Sequence, residues 1–171
     1  IKKALELPGF TSDEEGKFLE VNPCLVSMLE AESREELFQH SVKEFYVSPQ
    51  RRKEIVDKII KYGFFVNEEI EMVSLKGRKF WSLATAAAKK DAQGQTIKLH
   101  GVNQDITERK HAEKQLQIRE SYLSAIIENQ PGLIWLKDAD SRFLAVNQAF
   151  AASCGLKSPE ELVGKSDLDI W

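Results

Sequence analysis

The chain has 171 residues, of which 42% are hydrophobic and 9% aromatic, enough apolar material for one or two packed domains. Because 24 basic side chains nearly balance 27 acidic ones, the net charge is only −3, which disfavours nucleic acid as a partner. No apolar run reaches the roughly 18 residues that a membrane span needs. Two distant cysteines and three scattered histidines indicate neither a disulfide framework nor a metal site. We therefore expect a cytoplasmic fragment, whose parent protein could still carry a membrane anchor.

The first third of the chain predicts a hairpin followed by helices. A polar turn at 13–16 separates two short apolar segments, the second at 18–21, as in a pair of antiparallel strands. Asn22 then stands where it can cap a short helix. A longer helix is predicted over 49–62, with isoleucines at helical spacing and Gly63 at its end.

Three further strands are predicted in a meander. In the first of these strands, Val66, Ile70 and Met72 alternate with polar residues. A turn is predicted at 91–94, between the second strand and the third. Strands at both ends of the domain with helices between them indicate an α+β fold, in which helices cover one face of an antiparallel sheet. The three strands are predicted over residues 66–72, 79–89 and 96–105.

The segment 107–128 is predicted to be one helix, which Asp105 or Thr107 caps. Its apolar residues form a single narrow stripe on an otherwise charged helix, which is typical of a coiled-coil seam. We therefore expect a homodimer through this helix, and the alternative is a helix packed on its own domain. The predicted seam consists of Ala112, Leu116, Leu123 and Ile126.

The chain also repeats itself at an offset of 125 residues. Between 18–46 and 143–171, nine of 29 aligned positions are identical, including Phe-Leu-x-Val-Asn at the start of each copy. An offset of this size corresponds to a whole domain rather than to a solenoid repeat. We therefore expect a first domain at 1–106, a helical linker at 107–128 and the N-terminal part of a related second domain at 129–171.

Three motifs together resemble the PAS domain family. Residues 16–22 resemble the second-strand signature of that family, residues 101–110 resemble its closing sequence with the Asp105-Ile106-Thr107 core, and residues 164–171 resemble the segment before its long helix. The resemblance implies a five-stranded antiparallel sheet with helices over one face. It also implies a sensory or regulatory module without catalytic activity, as in histidine kinases or diguanylate cyclases, with an output domain elsewhere in the parent chain.

In this resemblance, Asp105 and Thr107 have a mechanical role, because they tie the exiting helix to the last strand. A change in the sheet is then passed into the helix, since no flexible Gly/Ser linker separates them. The second functional hypothesis is a module that binds no ligand and mediates only dimerisation.

PAS domains hold haem, flavin, small metabolites or nothing between sheet and helices. Haem is not expected, because the helix at 49–62 has no histidine, and a photoactive flavin is not expected, because neither Cys24 nor Cys154 has the required Arg-Phe neighbours. A small metabolite stays open as a ligand. The alternative is that the candidate lining residues simply form the core. These candidates are Val21, Phe45, Ile55, Ile59, Ile70, Met72, Trp81 and Leu83.

Overall fold

The computed structural model describes residues 7–92 and 96–170, and for residues 96 and 97 it describes the backbone only. The chain divides into two compact units, with the boundary between residues 111 and 112. Part of the turn predicted at 91–94 lies outside the described residues.

The first unit contains a five-stranded antiparallel sheet. Its strand order is β2-β1-β5-β4-β3, so the two halves of the sheet meet where β1 pairs with β5. The strands are β1 Gly9–Ser12, β2 Phe18–Val21, β3 Phe64–Val73, β4 Lys79–Lys90 and β5 Thr96–Asp105. The helices between β2 and β3 are α1 Pro23–Met28, α2 Arg34–Leu37, a 3₁₀ turn Val42–Phe45 and α3 Pro49–Tyr62.

The core lies between these helices and one face of the sheet. It joins Leu25 of α1 and Ile55 of α3 to Phe80 of β4, each with 2% of its surface exposed or less. The expected α+β architecture with helices over one face is therefore confirmed. Helix α3 has the predicted bounds, since the Ser48 hydroxyl accepts a hydrogen bond from the Arg51 amide at 3.1 Å and Gly63 takes a left-handed conformation.

An irregularity in β3 corrects the predicted alternation. The pairing with β4 shifts register between Phe65 and Glu68, and Asn67 has a positive φ of 54°. Because the extra residue reverses the facing of the strand, Phe65 is buried and Val66 is 55% exposed. The prediction that Val66 shares a face with Ile70 was wrong for this reason.

An ion-pair cluster joins α3 to this irregular part of β3. The Arg51 Nη2 atom donates to Glu68 Oε2 at 2.6 Å, and Lys58 pairs with the other oxygen of the same carboxylate. The hydrogen bond from Lys58 lowers the pKa of Glu68 and outweighs the opposing effect of burial. The helix is thus held at its β3 side by a charged contact.

The second unit repeats the opening of the first. It contains the strands β6 Trp135–Lys137 and β7 Phe143–Val146 and the helix α5 Gln148–Ser153, preceded by α4 Thr107–Asn129. Asn22 and Asn147 make matching hydrogen bonds, since the Oδ1 atom of each accepts hydrogen bonds from two backbone amides. The donors are Gly9 and Leu25 for Asn22, and Ile134 and Phe150 for Asn147.

Candidate functional site

A cavity of about 440 Å³ lies between α3 and the sheet of the first unit. It opens to solvent beside Ile60, which is exposed. Its interior is mainly apolar, with Phe10, Phe65 and Leu99 among the lining side chains, and Ser12 of β1 is a buried polar residue of the lining. The other polar and charged lining residues lie at the 13–16 turn, the 3₁₀ turn and the start of α3; they are Glu14, Lys43, Tyr46 and Arg52.

One face of α3 forms the helical wall of the cavity. Arg52, Ile55, Val56 and Ile59 follow helical spacing and all line it. The Arg52 guanidinium carbon lies 5.7 Å from the centre of the Tyr46 ring, within reach of a cation–π contact. Burial raises the pKa of the Tyr46 phenol despite the opposing effect of the nearby Arg52 and Arg51, so the phenol keeps its proton at neutral pH.

The sheet wall depends on a glycine. Phe10 of β1 lies directly opposite Gly101 of β5, and a Cβ atom added to Gly101 would lie 2.4 Å from the Phe10 ring. Only glycine therefore leaves room for the ring, which also packs edge-on against Phe18 at 5.5 Å between centroids. This arrangement makes Phe10 part of the cavity wall.

The predicted lining residues separate into four groups, three of which lie on the helical side of the sheet. Ile55 and Ile59 line the cavity, whereas Ile70 and Met72 line a neighbouring void of about 20 Å³. Val21 and Phe45 are buried in the core without lining the cavity.

Trp81 and Leu83 require a correction. They alternate along β4 with the buried residues Phe80 and Ser82 and are only half-buried, so they lie on the face opposite to the helices. The prediction that they face the same interior as Ile55 was therefore wrong. Both faces of β4 carry apolar residues, and the sequence pattern does not tell which face meets the helices.

The sequence interpretation missed the polar part of the cavity. Arg52 shares the face of α3 that contains Ile55 and Ile59. Its position three residues before Ile55 was the signal that could have identified it. No such signal marks Tyr46, Lys43 or Phe10. These residues reach the cavity only because the folded chain brings together segments that are distant in sequence.

The junction between the sheet and α4 is built from backbone and side-chain hydrogen bonds. The Thr107 hydroxyl accepts from the Trp81 amide at 2.9 Å and donates to Asp105 Oδ1 at 2.5 Å. The Ile106 amide donates to the Trp81 carbonyl oxygen at 2.8 Å, and Arg78 donates to Asp105 Oδ2 at 3.0 Å. Burial alone would raise the pKa of Asp105, but the hydrogen bonds from Thr107 and Arg78 prevail and lower it below 3.8.

Charged contacts add to this junction on the outer face of the sheet. Arg109 donates to Glu69 Oε1 at 2.6 Å, and Lys110 pairs with the other oxygen of Glu69. The Lys110 ammonium also lies 5.4 Å from the centre of the Trp81 ring. The hydrogen bond from Lys110 lowers the pKa of Glu69. The first turn of α4 is thus bound to both β3 and β4.

The predicted seam residues lie on α4, which runs over Thr107–Asn129 against the predicted 107–128. Leu116, Leu123 and Ile126 are between 57% and 61% exposed, and Ala112 is exposed as well. This exposure is compatible with a seam and does not test it.

The other candidate ligands of metals and cofactors are dispersed. Within the part of the chain that the structure describes, no three His, Cys, Asp or Glu side chains are grouped so that they could hold a metal ion. Cys24 and Cys154 are free thiols, each partly buried, and neither lines the cavity. Across residues 7–92 and 96–170, every helix is too short or too polar for a membrane span.

Comparisons with known proteins agree with this architecture. A PAS domain model matches residues 8–108, and a PAS fold model matches residues 127–171. Similar solved structures include a PAS domain from Colwellia psychrerythraea, with 19% identity and a TM-score of 0.54 over 59% of this chain and 86% of that one. The PAS domain of the fruit-fly ELK potassium channel has 14% identity and a TM-score of 0.51 over 59% and 87%. The LOV domain of a blue-light activated histidine kinase from Erythrobacter litoralis has 15% identity and a TM-score of 0.52 over 61% and 99%. No curated protein matches the chain in a sequence comparison.

Proposed function

The chain belongs to the PAS family, and we propose that its first unit senses a small molecule in the cavity and passes the change to α4. One observation carries this proposal, namely that the strands of the cavity wall continue into the junction. Leu99 lines the cavity, and six residues later on β5 Asp105 accepts hydrogen bonds from Thr107. On β4, Ala86 lines the cavity and Trp81 bonds to both Ile106 and Thr107.

This connection favours transmission because it is stiff. Each hydrogen bond at the junction contributes about 0.5–1.5 kcal/mol, and the strands leave no flexible segment between cavity and helix. A ligand that changes the spacing between α3 and the sheet would therefore move β4 and β5 together with the first turn of α4. In this proposal Asp105 and Thr107 form the signal junction.

A cavity-filling variant tests the coupling without a known ligand. Val56→Trp places a large ring in the cavity, whereas Val66→Trp, at an exposed position, is the matched control. We expect the filled variant to change hydrogen exchange of the amides at 106–112, and Thr107→Val to reduce that change. Unaltered exchange at 106–112 in a folded Val56→Trp protein would contradict the coupling.

The second candidate function is association without a ligand. The exposed stripe on α4 favours it, since Leu116, Leu123 and Ile126 match the spacing of a coiled-coil seam. We expect a homodimer that sedimentation detects and that Leu116→Glu with Leu123→Glu disrupts. Gln117→Glu with Ser121→Glu adds the same charge to polar positions and is the control. A dimer that persists in the leucine variant would exclude the stripe as the seam.

We extend the proposal to the organisation of the parent protein. The first PAS domain would span 1–106, the helical linker 107–128 and the N-terminal part of the second PAS domain 129–171. Helix α4 would transmit the signal toward an output domain in a cytoplasmic part of the parent protein. The fold shared with the LOV domain of a histidine kinase supports an output of that kind.

A further inference from the structure

The two arginines in the first turn of α3 differ in how they are paired, and of the two only Arg52 lines the cavity. Arg51 is neutralised by Glu54 and Glu68, at 3.0 and 2.6 Å. Arg52 makes no ion pair with any described residue, and the aromatic ring of Tyr46 is its contact. An unpaired guanidinium therefore lies half-buried at the edge of an apolar cavity, where water screens its charge less than at an open surface.

The net charge of the mouth indicates the charge of its ligand. Arg52 and Lys43 contribute two positive charges and Glu14 contributes one negative charge, so the mouth carries +1. A single negative charge on the ligand balances this set, whereas a doubly charged phosphate leaves an excess. A guanidinium also matches a carboxylate geometrically, because it can donate two parallel hydrogen bonds to it.

The interior indicates the rest of the ligand. Ile55, Ile59, Phe65 and Leu99 present an apolar surface, and a volume of about 440 Å³ is within the usual range of about 300–1,000 Å³ for small-molecule sites. Tyr46 lines the same cavity, and its ring is the contact of the Arg52 guanidinium. A ligand with an apolar body and one acidic group would match both the apolar interior and the positively charged mouth.

We propose that the ligand of this cavity is an amphipathic carboxylate, whose apolar part fills the interior and whose acid group binds Arg52. Lys43 lies at the same mouth and adds attraction without the fork geometry of arginine. This inference rests on the proposed sensory function, because it names the class of ligand for the same cavity.

Decanoate and decanol form the decisive pair of probes, since they share an apolar chain and differ in charge. We expect calorimetry on the full chain at neutral pH to show saturable decanoate binding, at least tenfold tighter than decanol. Arg52→Gln should weaken decanoate at least tenfold and leave decanol unchanged. Lys53→Gln removes the neighbouring exposed charge, which does not line the cavity, and should leave both affinities as they are.

The outcomes separate this inference from the function on which it rests. Equal binding of decanoate and decanol, or undiminished decanoate binding in Arg52→Gln, would overturn the role of the charge and leave an apolar sensor. Absence of binding by both probes would overturn the amphipathic ligand altogether. The Val56→Trp exchange experiment decides the sensory coupling independently, because it uses no ligand.

Discussion

Removal of the Thr107 hydroxyl is the most direct perturbation of the junction. This one oxygen accepts the Trp81 amide at 2.9 Å and donates to Asp105 at 2.5 Å. In Thr107→Val, a side chain of similar shape replaces the hydroxyl by a methyl group, so both hydrogen bonds are lost and the volume is kept. Thr107→Ser retains the oxygen and is the matched control.

The expected magnitude follows from the groups that lose partners. A polar group that is left unsatisfied in a partly buried site costs about 1–3 kcal/mol, and here the Trp81 amide is that group. Since 1.4 kcal/mol corresponds to a factor of ten, local opening of the junction should increase roughly 5- to 150-fold. Thr107→Ser loses one methyl group, for which about 0.8 kcal/mol is the upper expectation.

Amide hydrogen exchange followed by NMR measures this opening at the affected site. The Trp81 and Ile106 amides report directly, because both hydrogen bonds cross the junction. This assay suits a chain of two compact units better than global unfolding, which does not reduce to one transition. Equal exchange rates in the valine and serine variants would refute the role of the hydroxyl.

The pH dependence of the same amides gives a second test. Because the folded-state pKa of Asp105 is below 3.8, its contribution to stability is fully present above that value. It is lost as the pH falls through the lower folded-state pKa. In Thr107→Val one donor to Asp105 is missing, so the pKa should return toward 3.8 and the acid-induced loss of protection should be smaller. An unchanged acid response in the valine variant would contradict this assignment.

Two further pairs of substitutions test the stability of the first unit. Gly101→Ala should destabilise it by about 1–3 kcal/mol, measured by hydrogen exchange of the most protected amides of the sheet, because the new methyl group would displace the Phe10 ring. Gly9→Ala meets only ordinary contacts at 3.6–3.7 Å and should stay near neutral. Glu30 has a positive φ of 56° and accepts a hydrogen bond from Ser74, so Glu30→Ala should cost about 1–3 kcal/mol and Glu30→Gly about 1 kcal/mol less. A stable Gly101→Ala protein, or equal stability of the two Glu30 variants, would contradict these assignments.

The sequence alone determined the order of elements in this protein, because that information is local. Asn22 caps α1 and Gly63 ends α3 through contacts within a few residues, and these signals can be read one segment at a time. The helix at 107–128 and the second copy at an offset of 125 were predicted for the same reason. The PAS resemblance rested on such short motifs, and the family models agree with it.

Only the tertiary structure decided which side chains face the cavity. Alternation along β4 places Trp81 and Phe80 on opposite faces of the sheet. The sequence does not tell which face the helices cover, and the structure shows that it is the face of Phe80. The register shift in β3 reverses the facing of Val66, and no composition rule marks that site. Arg52 reaches the cavity because α3 packs against β3 and β4, while Phe10 of β1 and Leu99 of β5, both distant in sequence, supply the opposite wall. Which side chains face the cavity depends on how the helices and strands pack against one another. This packing is set by contacts between segments that are distant in sequence, and a local sequence pattern does not contain them.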